Sequence, residues 1–158
     1  MRPAPLVLGL AALLAGPLAA GDLTRRPGWV VTPTTLPFEE LHTALRTAIA
    51  EHKMGLVTQA SASDGAQMQG IDIPGNRVIG VFRNDFARRM LDASLAAGIE
   101  APIRFYLTEN RDGTGTLSWK TPSLVFAPYM DEGGAPLAEL ATELDDIFDA
   151  IATQATAN

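Results

Sequence analysis

RVIGVF at residues 77–82, NDFARRMLDASLAAG at 84–98, APIRFYLTE at 101–109, NRDGTG at 110–115 and TLSWKTPS at 116–123 decide the fold. The first block is nearly all apolar, as expected of a central strand. Asn84 predicts a helix cap through its side-chain oxygen, with Asp85 in the first turn. Phe86, Met90, Ala93 and Ala97 then face one way, with Leu91 and Leu95 alongside, and Gly98 ends the helix. In the third block Ile103, Phe105 and Leu107 alternate with Arg104, Tyr106 and Thr108, the period of a strand with two unlike faces. Asp112-Gly113 and Gly115 turn the chain back. Leu117, Trp119 and Thr121 then alternate with Ser118 and Lys120. The unit reads strand, helix, strand, turn, strand.

The flanks read as support for that unit. Gly28 to Thr34 is a short β-prone run, and Pro33 marks its end or an edge position. Thr35-Leu36-Pro37 predicts a helix start, with a hydroxyl near the cap and Pro37 in the first turn. Glu39 and Glu40 suit the positive end of its dipole. Phe38, Leu41, Leu45, Ala48, Ile49 and His52 form one stripe, and Gly55 stops the helix. Residues 56–61 read as a strand. Residues 63–76 read as a long connection with one helical turn near 64–69. Residues 124–127 suggest an extension of a sheet edge. Gly133-Gly134-Ala135-Pro136 is a hinge into a last helix carrying Leu137, Leu140, Ala141, Leu144, Ile147, Phe148 and Ile151 on one side, and residues 152–158 are expected to fray. The order β-α-β-β-α-β-β-α predicts an α+β domain with a mixed or antiparallel sheet and helices mainly on one face. Strand, helix, strand occurs in 28–61 and again in 77–109, a topological echo.

The 158 residues suit one domain. Residues 1–20 have the three-part layout of a secretory signal peptide: Arg2, an uncharged run from Leu6 to Leu14, and small residues at 18–21. The apolar run is too short to span a bilayer, which takes about 20 residues. Cleavage is expected after Ala20 or Gly21, leaving 21–158 as a single domain with its core at about 28–155. The expected address is the periplasm or the exterior, with no membrane span after cleavage. No cysteine is present, so there is no disulfide and no thiol chemistry. The formal charge is −6, and losing Arg2 leaves 11 basic against 18 acidic side chains. That balance argues against nucleic acid as a partner.

Catalytic signatures are missing from the sequence. It has no nucleophile elbow and no phosphate loop. His42 and His52 lie ten residues apart on one predicted helix, about 15 Å along its axis, too far to share a metal. His52 falls on the apolar stripe, where a satisfied or partly buried histidine is expected, and His42 reads as a surface residue. No cofactor is implied. The better site lies on the polar sheet face, where Arg104, Tyr106 and Thr108 share a side. Either Ser118 and Lys120 or Leu117 and Trp119 come beside them, depending on register. Such a face forms a dimer interface, stays wet, or grips a small anionic or aromatic ligand.

The sequence resembles the DUF302 family, a domain of unknown function common in bacteria. The matching pieces are Phe38-Glu39-Glu40, Gly55-Leu56-Val57, Arg77 to Phe82, Ala101 to Leu107 followed by Glu109, and Thr116 to Ser123, spread over most of 28–155. At Phe82-Arg83-Asn84-Asp85 the family usually has a glycine, an asparagine and a proline; only Asn84 carries over. The resemblance implies a compact α+β fold that pairs into homodimers, with no established activity or cofactor. The leading expectation is an exported, homodimeric, non-catalytic binding module, with Asn84, Arg104, Tyr106, Glu109, Trp119 and Lys120 as candidate ligand-binding residues. Two alternatives remain: a small-molecule enzyme with its site around Arg104 and Glu109, and a periplasmic copper-binding protein using Met and His ligands.

Overall fold

The alternating blocks at 77–82, 101–109 and 116–120 become the three inner strands of a five-stranded sheet. The structure, a computed structural model, describes residues 23–157, so the expected signal at 1–20 lies outside the described residues. The elements are β1 (Trp29–Pro37), α1 (Phe38–Glu51), β2 (Gly55–Ala60), α2 (Ala62–Gln67), β3 (Asn76–Phe82) and α3 (Asn84–Ala93). A 3-10 turn at Ala96–Glu100 leads to β4 (Ile103–Glu109) and β5 (Thr114–Lys120). Then come α4 (Pro122–Phe126), a 3-10 turn at Ala127–Tyr129, and α5 (Met130–Thr156). The strand order is β1-β5-β4-β3-β2, and every neighbouring pair is antiparallel. The first strand-helix-strand unit therefore supplies both edges: β1 pairs with β5, and β2 pairs with β3.

One face of the sheet is covered. Ile79, Val81, Ile103, Phe105, Leu107, Leu117 and Trp119 project into it and are buried. The covering layer is α1, α3 and α5, with Leu41, Leu45, Ile49, Met90, Leu137, Leu140, Leu144, Phe148 and Ile151 buried against the sheet. The Phe105 ring stacks on Phe148 with centroids 4.3 Å apart, and the Trp119 ring meets Phe105 edge-on at 5.7 Å. The period-two and helical patterns of the sequence thus meet in one core.

Several local expectations are corrected by the backbone. β1 runs to Pro37 rather than stopping at Thr34, and Pro37 sits at the cap of α1 with no side-chain cap bond. The Phe38 amide instead donates to the Gly113 carbonyl at 3.1 Å, so the β4–β5 hairpin holds the helix start. Asn84 does not cap α3: Arg83 takes the cap position, and Asn84 is the first helical residue and exposed. α3 ends at Ala93 and not at Gly98. Ser94 is extended there, and its hydroxyl accepts from the Ala97 amide at 3.1 Å, starting a separate turn. Leu95 thus falls outside the helix, and both it and Leu91 are exposed and do not reach the core.

Residues 124–127 are not a strand. Thr121 Oγ1 accepts from the Leu124 amide at 3.2 Å and Pro122 occupies the first turn, so the chain coils into α4. The expected hinge is present, as a break inside α5 at Gly134 (φ 53°, ψ −148°). Such a positive φ is open to glycine at little strain. The end of α5 is ordered rather than frayed: Ala152 and Ala155 are buried, and Gln154 bonds His52 and Glu51 at the end of α1.

α3 is clamped to α5 by a two-pronged ion pair, Arg89 Nη1 to Glu143 Oε2 at 2.8 Å and Nη2 to Oε1 at 2.6 Å. The hydrogen bond from Arg89, helped by its charge, holds the Glu143 carboxyl below its ordinary pKa. A depressed folded-state pKa means that this contribution is full above the ordinary carboxylate range and disappears as pH falls through the folded value. The Glu143→Gln variant should therefore lose less melting temperature than the wild type between pH 5 and pH 2, roughly the carboxylate window. Parallel acid curves for the two proteins would count against the clamp. Both side chains are half exposed, so the effect is small.

Candidate functional site

Among the described residues the second face of the sheet carries no helix layer, and the register fixes what stands on it. Trp29 pairs with Lys120, Gly80 with Arg104, and Thr58 with Gly80. Phe105 pairs with Trp119, which sets Arg104 level with Lys120. One row thus crosses all five strands: Trp29, Lys120, Arg104, Gly80, Thr58. The next row is Val31, Ser118, Tyr106, Val78, Ala60. Of these rows Trp29, Lys120, Arg104, Ser118, Tyr106, Val78 and Ala60 line a hollow of about 650 Å³, with Glu100 and Val125 also in its wall. A Cβ at Gly80 would sit 2.1 Å from Thr58 Oγ1 and 2.8 Å from Pro102 Cγ, so the first row is closed over at that point.

The electrostatics of this face oppose those of the chain. Arg104 and Lys120 are exposed and stand side by side, and Arg26 lies near with its guanidinium carbon 5.3 Å from the Trp29 ring centroid. Lys120 Nζ is 5.7 Å from the same centroid. Among the described residues, Arg104 and Lys120 make no ion pair; the arginines that do are Arg77, Arg83 and Arg89. Glu100, the carboxylate in the wall, accepts a hydrogen bond from the Tyr129 hydroxyl at 2.7 Å.

The six candidate residues separate into three places. Arg104, Tyr106 and Lys120 come together on the bare face. Trp119 does not: strand alternation turns it to the helix side, where it is 4 % exposed and packed on Phe105. Its indole Nε1 is buried there without a hydrogen-bond partner among the described residues. Glu109 also belongs to the helix side and to the far end of β4, so it cannot share a site with Arg104. Its carboxylate accepts from the Gly75 amide at 2.7 Å, and its own amide donates to the Gly75 carbonyl at 2.8 Å, pinning the end of the long connection. Asn84 stands at the start of α3, away from the row. The register left open in the sequence is settled in favour of Ser118 and Lys120. Trp29, the aromatic member of the row, was missed because the β1–β5 pairing joins distant parts of the chain.

A second cluster lies at the helix side of β3. Arg77 Nη1 donates to Glu39 Oε2 at 2.8 Å, and its Nη2 lies 3.5 Å from Asp64. The same Nη1 approaches His42 Nδ1 at 3.3 Å. A guanidinium only donates, so Nδ1 accepts and Nε2–H donates to Gln59 Oε1 at 3.1 Å. The bond to Glu39, followed by attraction from both carboxylates and opposed by burial, raises the Arg77 pKa. His42 is thus buried rather than at the surface, and His52 is only half-buried, bonded to Gln154 at 3.0 Å. His52 is thus the satisfied, partly buried histidine expected of the stripe, whereas the surface reading of His42 fails because a buried arginine from β3 reaches it. Among the described residues no group of three or more His, Asp or Glu side chains is placed to hold a metal ion.

Fold and site define an α+β domain with an antiparallel sheet covered by helices on one face and hollowed on the other. A sequence profile for a domain of unknown function, DUF302, matches residues 30–151, and the chain belongs to that family. The crystal structure of an uncharacterized conserved DUF302 protein from Bacillus stearothermophilus is similar, with a TM-score of 0.70 at 18 % identity, over 80 % of this chain and 97 % of that one. At that identity the likeness concerns the fold alone. No curated protein matches the chain.

Proposed function

We propose that the mature chain is an exported, non-catalytic binding module that works as a homodimer and takes a small anionic or aromatic ligand on its bare sheet face. The observation that carries the reading is the row Trp29, Lys120, Arg104: two exposed cations and an aromatic ring, aligned by backbone register, on a chain with a formal charge of −6. Export rests on the charged, apolar and small-residue layout of residues 1–20. An enzyme using Arg104 with Glu109 has no support, since the two side chains leave opposite faces of β4.

Pairing of two copies fits a different surface. Leu91 on α3 and Leu95 and Ile99 beyond its end are 45 %, 81 % and 80 % exposed, an apolar stripe interrupted by extended Ser94. Arg88 and Asp92 flank this stripe, exposed and outside the ion pairs described. Across a two-fold axis the stripe meets itself, and Arg88 of each copy can face Asp92 of the other. Light scattering on the mature chain at micromolar concentration should give the mass of two chains, and the double variant Leu95→Arg, Ile99→Arg should give the mass of one. A wild-type monomer defeats the dimer; a variant that stays dimeric moves the interface elsewhere.

A further inference from the structure

The bare face holds two like charges where strand pairing is least tolerant of them. Directly opposite residues on neighbouring antiparallel strands have Cβ atoms about 5 Å apart, and like charges there are destabilising. Arg104 and Lys120 lie one position beyond Phe105 and Trp119, the last paired residues of β4 and β5, and face each other by continuation of that register. The chain has 18 acidic side chains against 12 basic ones. Even so, among the described residues neither cation has a carboxylate partner. The arrangement is accounted for by an occupant carrying the missing charge. A single carboxylate brings one negative charge. A phosphate monoester brings about −1.5 to −2 at neutral pH and three acceptor oxygens, which suits an arginine fork and a lysine point charge side by side.

The neighbours of the pair add a second requirement. Trp29 continues the row on the far side of Lys120, one strand spacing away, and Tyr106 stands one row along from Arg104 on β4. Both are half-buried, so each offers part of its ring to the hollow. From Trp29 to Arg104 the row spans two strand spacings, roughly 9–10 Å. That length suits a planar ring joined directly to a phosphate, with the ring against the aromatics and the phosphate between Lys120 and Arg104.

We infer that the hollow is a site for aromatic phosphate monoesters. The inference rests on the binding reading above and narrows it to one ligand class. Calorimetric titration of the mature chain with 1-naphthyl phosphate, 1-naphthoate, 1-naphthol and inorganic phosphate tests it. The aryl phosphate should bind about tenfold or more tighter than any of the other three, consistent with one extra charge-assisted contact. Arg104→Gln and Lys120→Gln should each weaken it by about tenfold and leave 1-naphthol unchanged. Trp29→Leu should weaken the aryl phosphate and 1-naphthol and leave inorganic phosphate unchanged. Melting curves of the variants confirm that each is folded. Equal binding of 1-naphthoate and 1-naphthyl phosphate overturns the phosphate assignment and leaves an anionic aromatic ligand standing. Equal binding of inorganic phosphate removes the role of the rings. If none of the four probes binds, the inference and the binding reading fall together.

Discussion

Replacing Phe105 with alanine should destabilise the domain by about 3–5 kcal/mol. Phe105 has no exposed surface, and it lies on the central strand of the sheet. Its ring joins the two layers: it stacks on Phe148 of α5 at 4.3 Å and takes the edge of Trp119 of β5 at 5.7 Å. Truncation loses the transfer free energy of the ring and leaves a cavity that β4, held on both sides by strands, cannot close by moving. Offset and edge-on ring pairs add about 0.5–1.5 kcal/mol each beyond buried area. Urea unfolding at neutral pH measures the loss as a fall in the midpoint at unchanged slope. The control is Tyr106→Phe, one residue along on the bare face, expected within about 0.5 kcal/mol of wild type. A loss below about 1 kcal/mol for Phe105→Ala is smaller than a packed aromatic allows and would contradict the layered core.

The Arg77→Ala variant should cost about 2–3 kcal/mol. The Arg77 side chain is 11 % exposed, whereas Glu39 and Asp64 are 68 % and 54 % exposed. Both carboxylates therefore regain water when the arginine is removed, which keeps the loss below that of a fully buried pair. What is lost is the hydrogen bond to His42, the packing of the guanidinium 5.1 Å from the Phe38 ring centroid, and the tie between α1, α2 and β3. Glu39→Gln keeps the arginine and its stem in place and should cost less than about 1 kcal/mol. The same unfolding experiment compares the two. If Glu39→Gln matches Arg77→Ala, the ion pair and not the buried stem carries the contribution.

The fold was legible in the sequence wherever period and punctuation agreed. Alternation through Ile103, Phe105 and Leu107 gave β4 its two faces, and Asp112-Gly113 gave the hairpin. The errors fell where local chemistry competes with pattern. Ser94 interrupts an apolar helical run because its hydroxyl starts a new turn. Thr121-Pro122 begins a helix within a stretch rich in strand-forming side chains. At the site, alternation placed Arg104 with Tyr106 from the sequence alone. It could also have separated them from Glu109, an odd-numbered residue on the same strand. Trp29 and Lys120 as neighbours required knowing that β1 joins β5, a pairing between distant parts of the chain with no local signal. The buried state of His42 likewise depends on Arg77, thirty-five positions away.

The central claim, that the bare sheet face is the working surface, is tested most directly by mapping amide chemical shifts while 1-naphthoate is added to the isotope-labelled mature chain. The account predicts that the largest shifts fall at Trp29, Lys120, Arg104, Tyr106 and Ser118, on β1, β5 and β4. Shifts centred on Arg77, Glu39 and Glu109 at the helix side, or no shifts at millimolar ligand, would contradict it.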